Sequence, residues 1–512
     1  MTGETMDYLV IGAGPAGLQT AHYLAERGRS YLVLEAGSAP GTFFATYPRH
    51  RQLISVNKRH TGSSDPEFNM KMDWNSLLSD HPDLLFTGYT DKYFPDADDF
   101  VRYLGDFAAK LDLRVAYDSR AARVEKDDDG FTVTTTSGDV HRARRLIVSS
   151  GLVPNRTDIP GIEHAEHYAT VSTDPEDFTG QRVLIIGSGN SAFETADNLV
   201  AHAGTIHVAA RQGIRLAWHT HFVGHLRAVN NNFLDTYQLK LQNAVLDVPV
   251  TSVARREAGG YEVTFQFSGS ARTLAYDRVI ACTGFRFDAS IFAEGCAPEL
   301  AINDRFPAQR GCYESVNVPG LFFAGTLTQQ LDYRNSTSGF IHGFRYGARA
   351  LARVLDERYH GTAWPGGEVS ADPAELTRRV LDRVNSSSGL WQQFGTLADV
   401  VVVPEDGPAR YFEEMPVKHV AERGIAPTDH VLRVTLEYGG HPKQPFDGRP
   451  EPTGVNPVSA YFHPVIRHVV GGELVGELHL PSDLENDWRH PRRHVEKLRT
   501  FLDAALPAPV AP

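Results

Sequence analysis

The chain has 512 residues, 41% hydrophobic and 22% charged, with a formal net charge of −13. That composition is globular, and the length favours two or three domains over one. An acidic chain without a Lys/Arg-dense run has no basic field to offer nucleic acid or anionic lipid, so nucleic-acid partners are excluded. No apolar stretch approaches the about 18 residues of a membrane span, and residues 1–7 lack the charged start and apolar run of a secretory signal. A soluble, cytoplasmic protein with no membrane partner is expected. Cys282, Cys296 and Cys312 contain no close pair, which argues against a disulfide framework and against a dithiol relay.

The first pattern along the chain is a buried strand at 8–11, a glycine turn, a helix over 16–27 and a second strand at 31–34. This is a βαβ unit. Gly12 suits the tight turn, Gly14 the close approach of a pyrophosphate and Gly17 the packing of helix on strand, with Pro15 and Ala16 between them at the helix start. Glu35 ends the second strand at about the spacing expected of an acid that accepts the ribose hydroxyls, and Ala36 follows it. FAD is the nucleotide expected here.

Alternating strands at 130–136 and 145–151 follow, bringing in Val124 and Gly151 as further candidate contacts. A near copy of the whole arrangement then begins. The strand 182–186 leads into Gly187, Gly189, Asn190, Ser191 and Ala192, and strands at 261–266 and 278–284 close the copy with Thr283 and Gly284 at its end. Where the first unit has Glu35, the second has Arg211. A guanidinium pairs with the 2′-phosphate of NADPH, which a carboxylate repels. Two sites of opposite charge in one chain point to electron relay from NADPH to a bound flavin.

A third strand and glycine turn, 320–325, puts Gly325 at its end, and a helical pattern over 338–358 completes the first unit. Ser336 and Ser338 stand where hydroxyls cap a helix, with the positive helix end facing the flavin's pyrimidine edge. His219, His221 and His225 fall at helical spacing that would put two on one face; without a cysteine or paired acid they read as a cofactor or substrate wall, and no metal site is expected. Beyond 364–367 the nucleotide motifs stop, with strands expected at 399–403 and 430–438. The fold class expected is α/β: two dinucleotide-binding, Rossmann-like domains plus a C-terminal α+β accessory domain. The boundaries are 1–160 with 281–364 for FAD, 161–280 for NADPH and 365–512 for the accessory domain, a candidate interface for homo-oligomers.

With these motifs in place the chain resembles the class B flavoprotein monooxygenases, the flavin-containing monooxygenase group. Pro40-Gly-Thr42-Phe43 is similar to that group's Gly-Gly-x-Trp turn, which adds Thr42 and Phe43 to the cofactor contacts; Val148-Ser-Ser-Gly-Leu-Val-Pro154 and Ala281-Cys-Thr-Gly-Phe285 resemble its two linkers. Two departures stand out. The motif before the second nucleotide strand is degenerate around 164–173, and Ser55 occupies the position of the group's asparagine, with Asn57 directly before Lys58.

A resemblance over essentially the whole chain is to the FAD-dependent oxidoreductase domain-containing protein 2 family, carried by Leu53-Ile-Ser-Val-Asn-Lys-Arg-His-Thr-Gly62, the segment 230–240, Ser338-Gly-Phe-Ile-His-Gly-Phe-Arg-Tyr346 and the segment 389–399. The monooxygenase resemblance implies a C4a-(hydro)peroxyflavin formed with molecular oxygen, and transfer of oxygen to a small-molecule amine or sulfur nucleophile, N-hydroxylation above all, or to a ketone. Asn57 and Lys58 are the candidate catalytic residues at the flavin's reactive face. The other family motivates a second expectation, an NADPH oxidase or redox sensor whose C-terminal domain binds a protein client.

Overall fold

The protein is described here from a computed structural model, which covers residues 5–211, 213–238, 243–404, 408–423, 428–439 and 461–506. Met6–Ile11 is the centre of the first sheet. It pairs in parallel with Tyr31–Leu34 on one side and with Val140–Val148 on the other. Tyr8 to Ile11 are buried as an unbroken apolar run, because a central parallel strand is covered on both faces.

Val140–Val148 changes partner half-way. Its first residues pair antiparallel with Phe131–Thr135, which continues into Ala121–Lys126, while Leu146 to Val148 pair in parallel with Leu321–Phe323. The burial pattern follows: alternation where one face is wet, a solid buried run where both are covered. The expected strand 145–151 therefore begins five residues earlier and stops at 148, where Ser149 turns its hydroxyl back onto the carbonyls of Ile11 and Gly12. Two helices, Pro15–Glu26 and Ile341–His360, cross against each other on the sheet.

The second unit repeats the design in five parallel strands, in the order Ala244–Leu246, Thr205–Ala209, Arg182–Ile186, Arg278–Ala281 and Glu166–His167, with the helix Asn190–Leu199 rising from the central strand. A separate meander of Val250–Arg255, Tyr261–Phe267 and Ser270–Tyr276 packs beside it. The two crossings between the units, Val153–Pro154 and Phe285–Arg286, pair with each other.

Past residue 365 the architecture changes to a six-stranded antiparallel sheet, flanked by the helices Pro373–Ser386 and Glu496–Ala505. The expected strands appear as Leu397–Val403 and His430–Tyr438. One hydrophobic core runs from Val33, Phe100 and Leu351 of the first unit through Val400 and Leu432 of this sheet to Trp488 in the loop after its last strand. A buried charge network reinforces the join. Arg349 and Arg353 of the long helix meet Glu414, which also accepts from Arg383 at 3.2 Å and the Ser387 hydroxyl at 2.9 Å. Burial alone would raise the pKa of Glu414, but the three guanidinium groups outweigh it and hold the carboxylate at about 2. Among the described residues no helix is long and apolar enough to cross a membrane.

Candidate dinucleotide-binding site

The first glycine turn divides into positions that pack and one that opens. A Cβ on Gly12, held at φ +101°, would sit 2.8 Å from the Ser149 carbonyl oxygen, and one on Gly17 would fall 1.9 Å from the Gly12 carbonyl. At Gly14 no atom lies within 4 Å of that position, so the turn faces free space where the helix Pro15–Glu26 begins. That helix starts with Pro15 and no side-chain cap, leaving its first N–H groups and positive end toward the same space. Gly325, at φ +73°, brings the third segment within reach: its Cβ would stand 2.6 Å from that of Ala16.

Glu35 is buried and ties this turn together. One oxygen accepts the Ala13 N–H at 2.7 Å, and the other accepts the Gly37 N–H at 2.9 Å and the Thr42 hydroxyl at 2.8 Å. A carboxylate offers about four acceptor positions. Three are taken by the protein, so Glu35 has room for about one more donor rather than the two ribose hydroxyls the sequence suggests. Ala36 is half-buried beside it, and Phe43 is 40% exposed with its ring 5.9 Å from Phe285. Val124 spends its main-chain groups elsewhere, its N–H on the Ile291 carbonyl and its C=O on the Ala293 N–H.

The second turn has the same division. A Cβ on Gly187, at φ +141°, would meet the Cys282 carbonyl oxygen at 2.2 Å, whereas Gly189 faces open space. Ala192 is fully buried under the helix. Asn190 anchors the next loop, donating to the His225 carbonyl at 2.9 Å and accepting from the Arg227 N–H at 3.0 Å; Ser191 lends its carbonyl to the Thr195 hydroxyl. The end of Thr205–Ala209 is bonded to the turn through Gly187 N–H and Ala209 O at 3.0 Å, and Arg211 follows two residues on, exposed. Gly151 and Gly284 adopt left-handed backbone at the two crossings, and the Thr283 hydroxyl caps the Asn155 carbonyl between them.

Aromatic rings fill the seam between the units: Tyr47 stacks on Tyr168 at 5.9 Å and meets Phe285 edge-on at 5.3 Å. Behind them Tyr168 hydrogen-bonds Glu194, whose pKa burial raises to about 7. Nothing in the sequence singled out this carboxylic acid, since a glutamate at mid-helix reads as a surface charge.

Asn57 and Lys58 part company. Asn57 is buried, donating to the Thr90 carbonyl at 2.8 Å with its own side-chain oxygen unpartnered, whereas Lys58 is exposed. Ser336 and Ser338 do not cap the long helix, contrary to expectation. The helix begins only at Ile341 with Phe340 at its N-cap, because the preceding loop bonds sideways: the Ser336 hydroxyl donates to the Phe394 carbonyl at 2.7 Å and the Ser338 N–H to Asp332 at 3.0 Å. The helical placement expected of the histidines does not hold either. The helix carrying His219 is only Ala217–Thr220, His221 ends it in left-handed backbone, and His225 lies beyond, its ring bonded to the Thr220 hydroxyl. His221 instead lies 4.2 Å from Tyr438 and lines a cavity of about 450 Å³ with Tyr313, Asp332, Ser336 and Phe394.

Sequence reasoning missed the support beneath this region. Arg345 is fully buried and donates to the carbonyls of Met70, Asp73 and Ser76, pinning the loop that carries Trp74. Trp74 in turn lies 4.5 Å from His342 and under the Arg227 guanidinium. A buried arginine has no pattern of its own in a sequence; only its place in the Gly-Phe-Arg-Tyr run could have drawn notice.

Residues 9–325 match the family model described as pyridine nucleotide-disulphide oxidoreductase. A Mus musculus protein described as "FAD-dependent oxidoreductase domain-containing protein 2" is 41% identical over 98% of this chain and 84% of its own length. The chain belongs to that family. Among solved structures, the bacillithiol disulfide reductase of Staphylococcus aureus shares the fold with a TM-score of 0.55 at 20% identity, covering 70% of this chain and all of the other. A flavin-containing monooxygenase from Stenotrophomonas maltophilia does so at 0.55 and 22%, covering 69% of this chain and 99% of the other. Family and fold together make the chain an oxidoreductase built on two Rossmann-like units.

Proposed function

We propose that the protein is an FAD- and NADPH-dependent oxidoreductase that works as a monooxygenase on a small amine or sulfur nucleophile. The observation that carries the reading is the opposite charge at matching positions of two otherwise alike turns, Glu35 at the first and Arg211 at the second. Each turn fits a dinucleotide: at Gly14 and at Gly189 a Cβ would fill the space that a pyrophosphate needs. Residues 1–160 with 281–364 hold FAD, 161–280 hold NADPH, and 365–512 form the accessory domain.

In this reading Gly12, Gly14, Pro15, Ala16, Gly17 and Gly325 shape the first cradle, with Glu35 orienting it through Ala13 and Thr42. Asn190 and Ser191 set the loop over the second, and Arg211 takes the 2′-phosphate as a bidentate donor. Bound there, FAD supplies the redox centre that accepts hydride from NADPH and hands electrons to oxygen. Asn57 aims a spare acceptor from a buried site, and Arg345 holds the loop beside it still. The three cysteines are all buried and free, so no dithiol stands ready for the disulfide exchange that names the wider family.

The test is Arg211→Ala. Losing a charge-assisted bond worth about 1.5–3 kcal/mol should raise the KM for NADPH roughly 10–150-fold and leave that for NADH nearly unchanged. Equal effects on both would remove the arginine argument. For the oxygenase step, incubation with NADPH and oxygen-18 should label an amine or sulfide product; release of hydrogen peroxide alone with every such compound would refute it.

A further inference from the structure

Away from both nucleotide turns, Cys312, His419 and Glu422 converge where the accessory sheet meets the first unit. The cysteine sulfur, an imidazole nitrogen and a carboxylate oxygen all lie within 4.8 Å of one another. The closeness is built into the backbone. Gly311 runs against the helix Val417–Glu422 so tightly that a Cβ on it would stand 2.4 Å from the His419 main-chain nitrogen, and only glycine there lets Cys312 sit beside His419.

Three features of the cluster call for a ligand. His419 is 8% exposed, and neither ring nitrogen has a hydrogen-bond partner, an uncommon state for a buried imidazole. Glu422 is already oriented: one oxygen accepts the Gly311 N–H at 2.8 Å, and the other faces His419 Nδ1 at 3.9 Å. The Arg358 guanidinium lies 3.3 Å from the Cys312 sulfur and 2.7 Å from Glu314. Once the thiol ionises on binding, the thiolate, two carboxylates and one guanidinium sum to a net charge of −2, which a divalent cation neutralises.

We propose that Cys312, His419 and Glu422 bind a divalent transition-metal ion of the zinc class. Thiolate, imidazole and carboxylate together suit such an ion, whose bonds of about 2.0–2.3 Å set ligand atoms roughly 3.3–3.8 Å apart, a contraction of at most about 1.5 Å from the 4.8 Å within which they lie. Binding deprotonates the thiol, and water takes the fourth position. The Gly311–Glu422 bond and the Arg358–Cys312 contact orient the ligands from outside. The ion fastens the accessory helix to the turn before Tyr313.

Cobalt(II) added to metal-free, flavin-loaded protein tests this directly. One equivalent should give a near-ultraviolet thiolate-to-cobalt charge-transfer band, and one equivalent of zinc should abolish it. Glu422→Gln, at a position exposed enough to fold normally, should weaken cobalt binding roughly tenfold or more, and Cys312→Ser should remove the band. Cobalt binding without the band would assign the metal to surface histidines and overturn the proposal, as would an unchanged band and affinity in Glu422→Gln.

Discussion

Gly189→Ala separates binding from folding at the second turn. The backbone there, φ −95° and ψ −177°, is ordinary for alanine, and nothing lies within 4 Å of the new methyl. Alanine loses about 0.5–1 kcal/mol as an N-cap relative to glycine, and it gains about 0.4–1 kcal/mol by restricting the unfolded chain. The two offset, so chemical denaturation should give a stability within about 0.5 kcal/mol of the parent. In the proposed function the methyl nevertheless stands where the pyrophosphate approaches, and one lost charge-assisted bond to the helix start costs about 1.5–3 kcal/mol, a roughly 10–150-fold weaker Kd for NADPH by anaerobic titration. Gly187→Ala is the contrast. Its methyl would press on the Cys282 carbonyl at 2.2 Å in a backbone conformation glycine alone tolerates, so it should destabilise the fold itself. Unchanged NADPH affinity in a folded Gly189→Ala protein would refute the assignment of this turn to the nucleotide.

Arg345→Met removes a fully buried guanidinium and strands the carbonyls of Met70, Asp73 and Ser76, which should cost about 3–5 kcal/mol in urea unfolding; a loss below about 1 kcal/mol would mean the loop is held otherwise. Glu194 sets a pH dependence. Burial raises its pKa in the folded state to about 7 from the ordinary glutamate value of 4.5, so the native state holds the extra proton and its contribution is lost as pH rises from about 4.5 through 7. Glu194→Gln should therefore be more stable than the parent at pH 8 by about 3 kcal/mol, with the gap closing toward pH 5. A gap independent of pH would place the carboxyl in water.

Both nucleotide units were legible in the sequence because their signals are local. A buried strand, a glycine turn and a helix start lie within a dozen residues, and Glu35 and Arg211 sit at the ends of the strands that follow. The helical pattern over 338–358 was visible too, but its start was misplaced, since Ser336 and Ser338 answer to Phe394 and Asp332 rather than to the helix. Periodicity cannot register a loop that bonds to a segment far along the chain.

What the sequence by itself determined is thus the α/β plan, the two turns and the charge at each, all set by chemistry between near neighbours. Tertiary structure alone decided the rest. It buried Asn57 and exposed Lys58, made Glu35 a brace for Ala13 and Thr42, and carried Gly311 against His419 so that Cys312, His419 and Glu422 meet. Those contacts join segments distant in sequence, and they exist only once the accessory sheet and the first unit share one core.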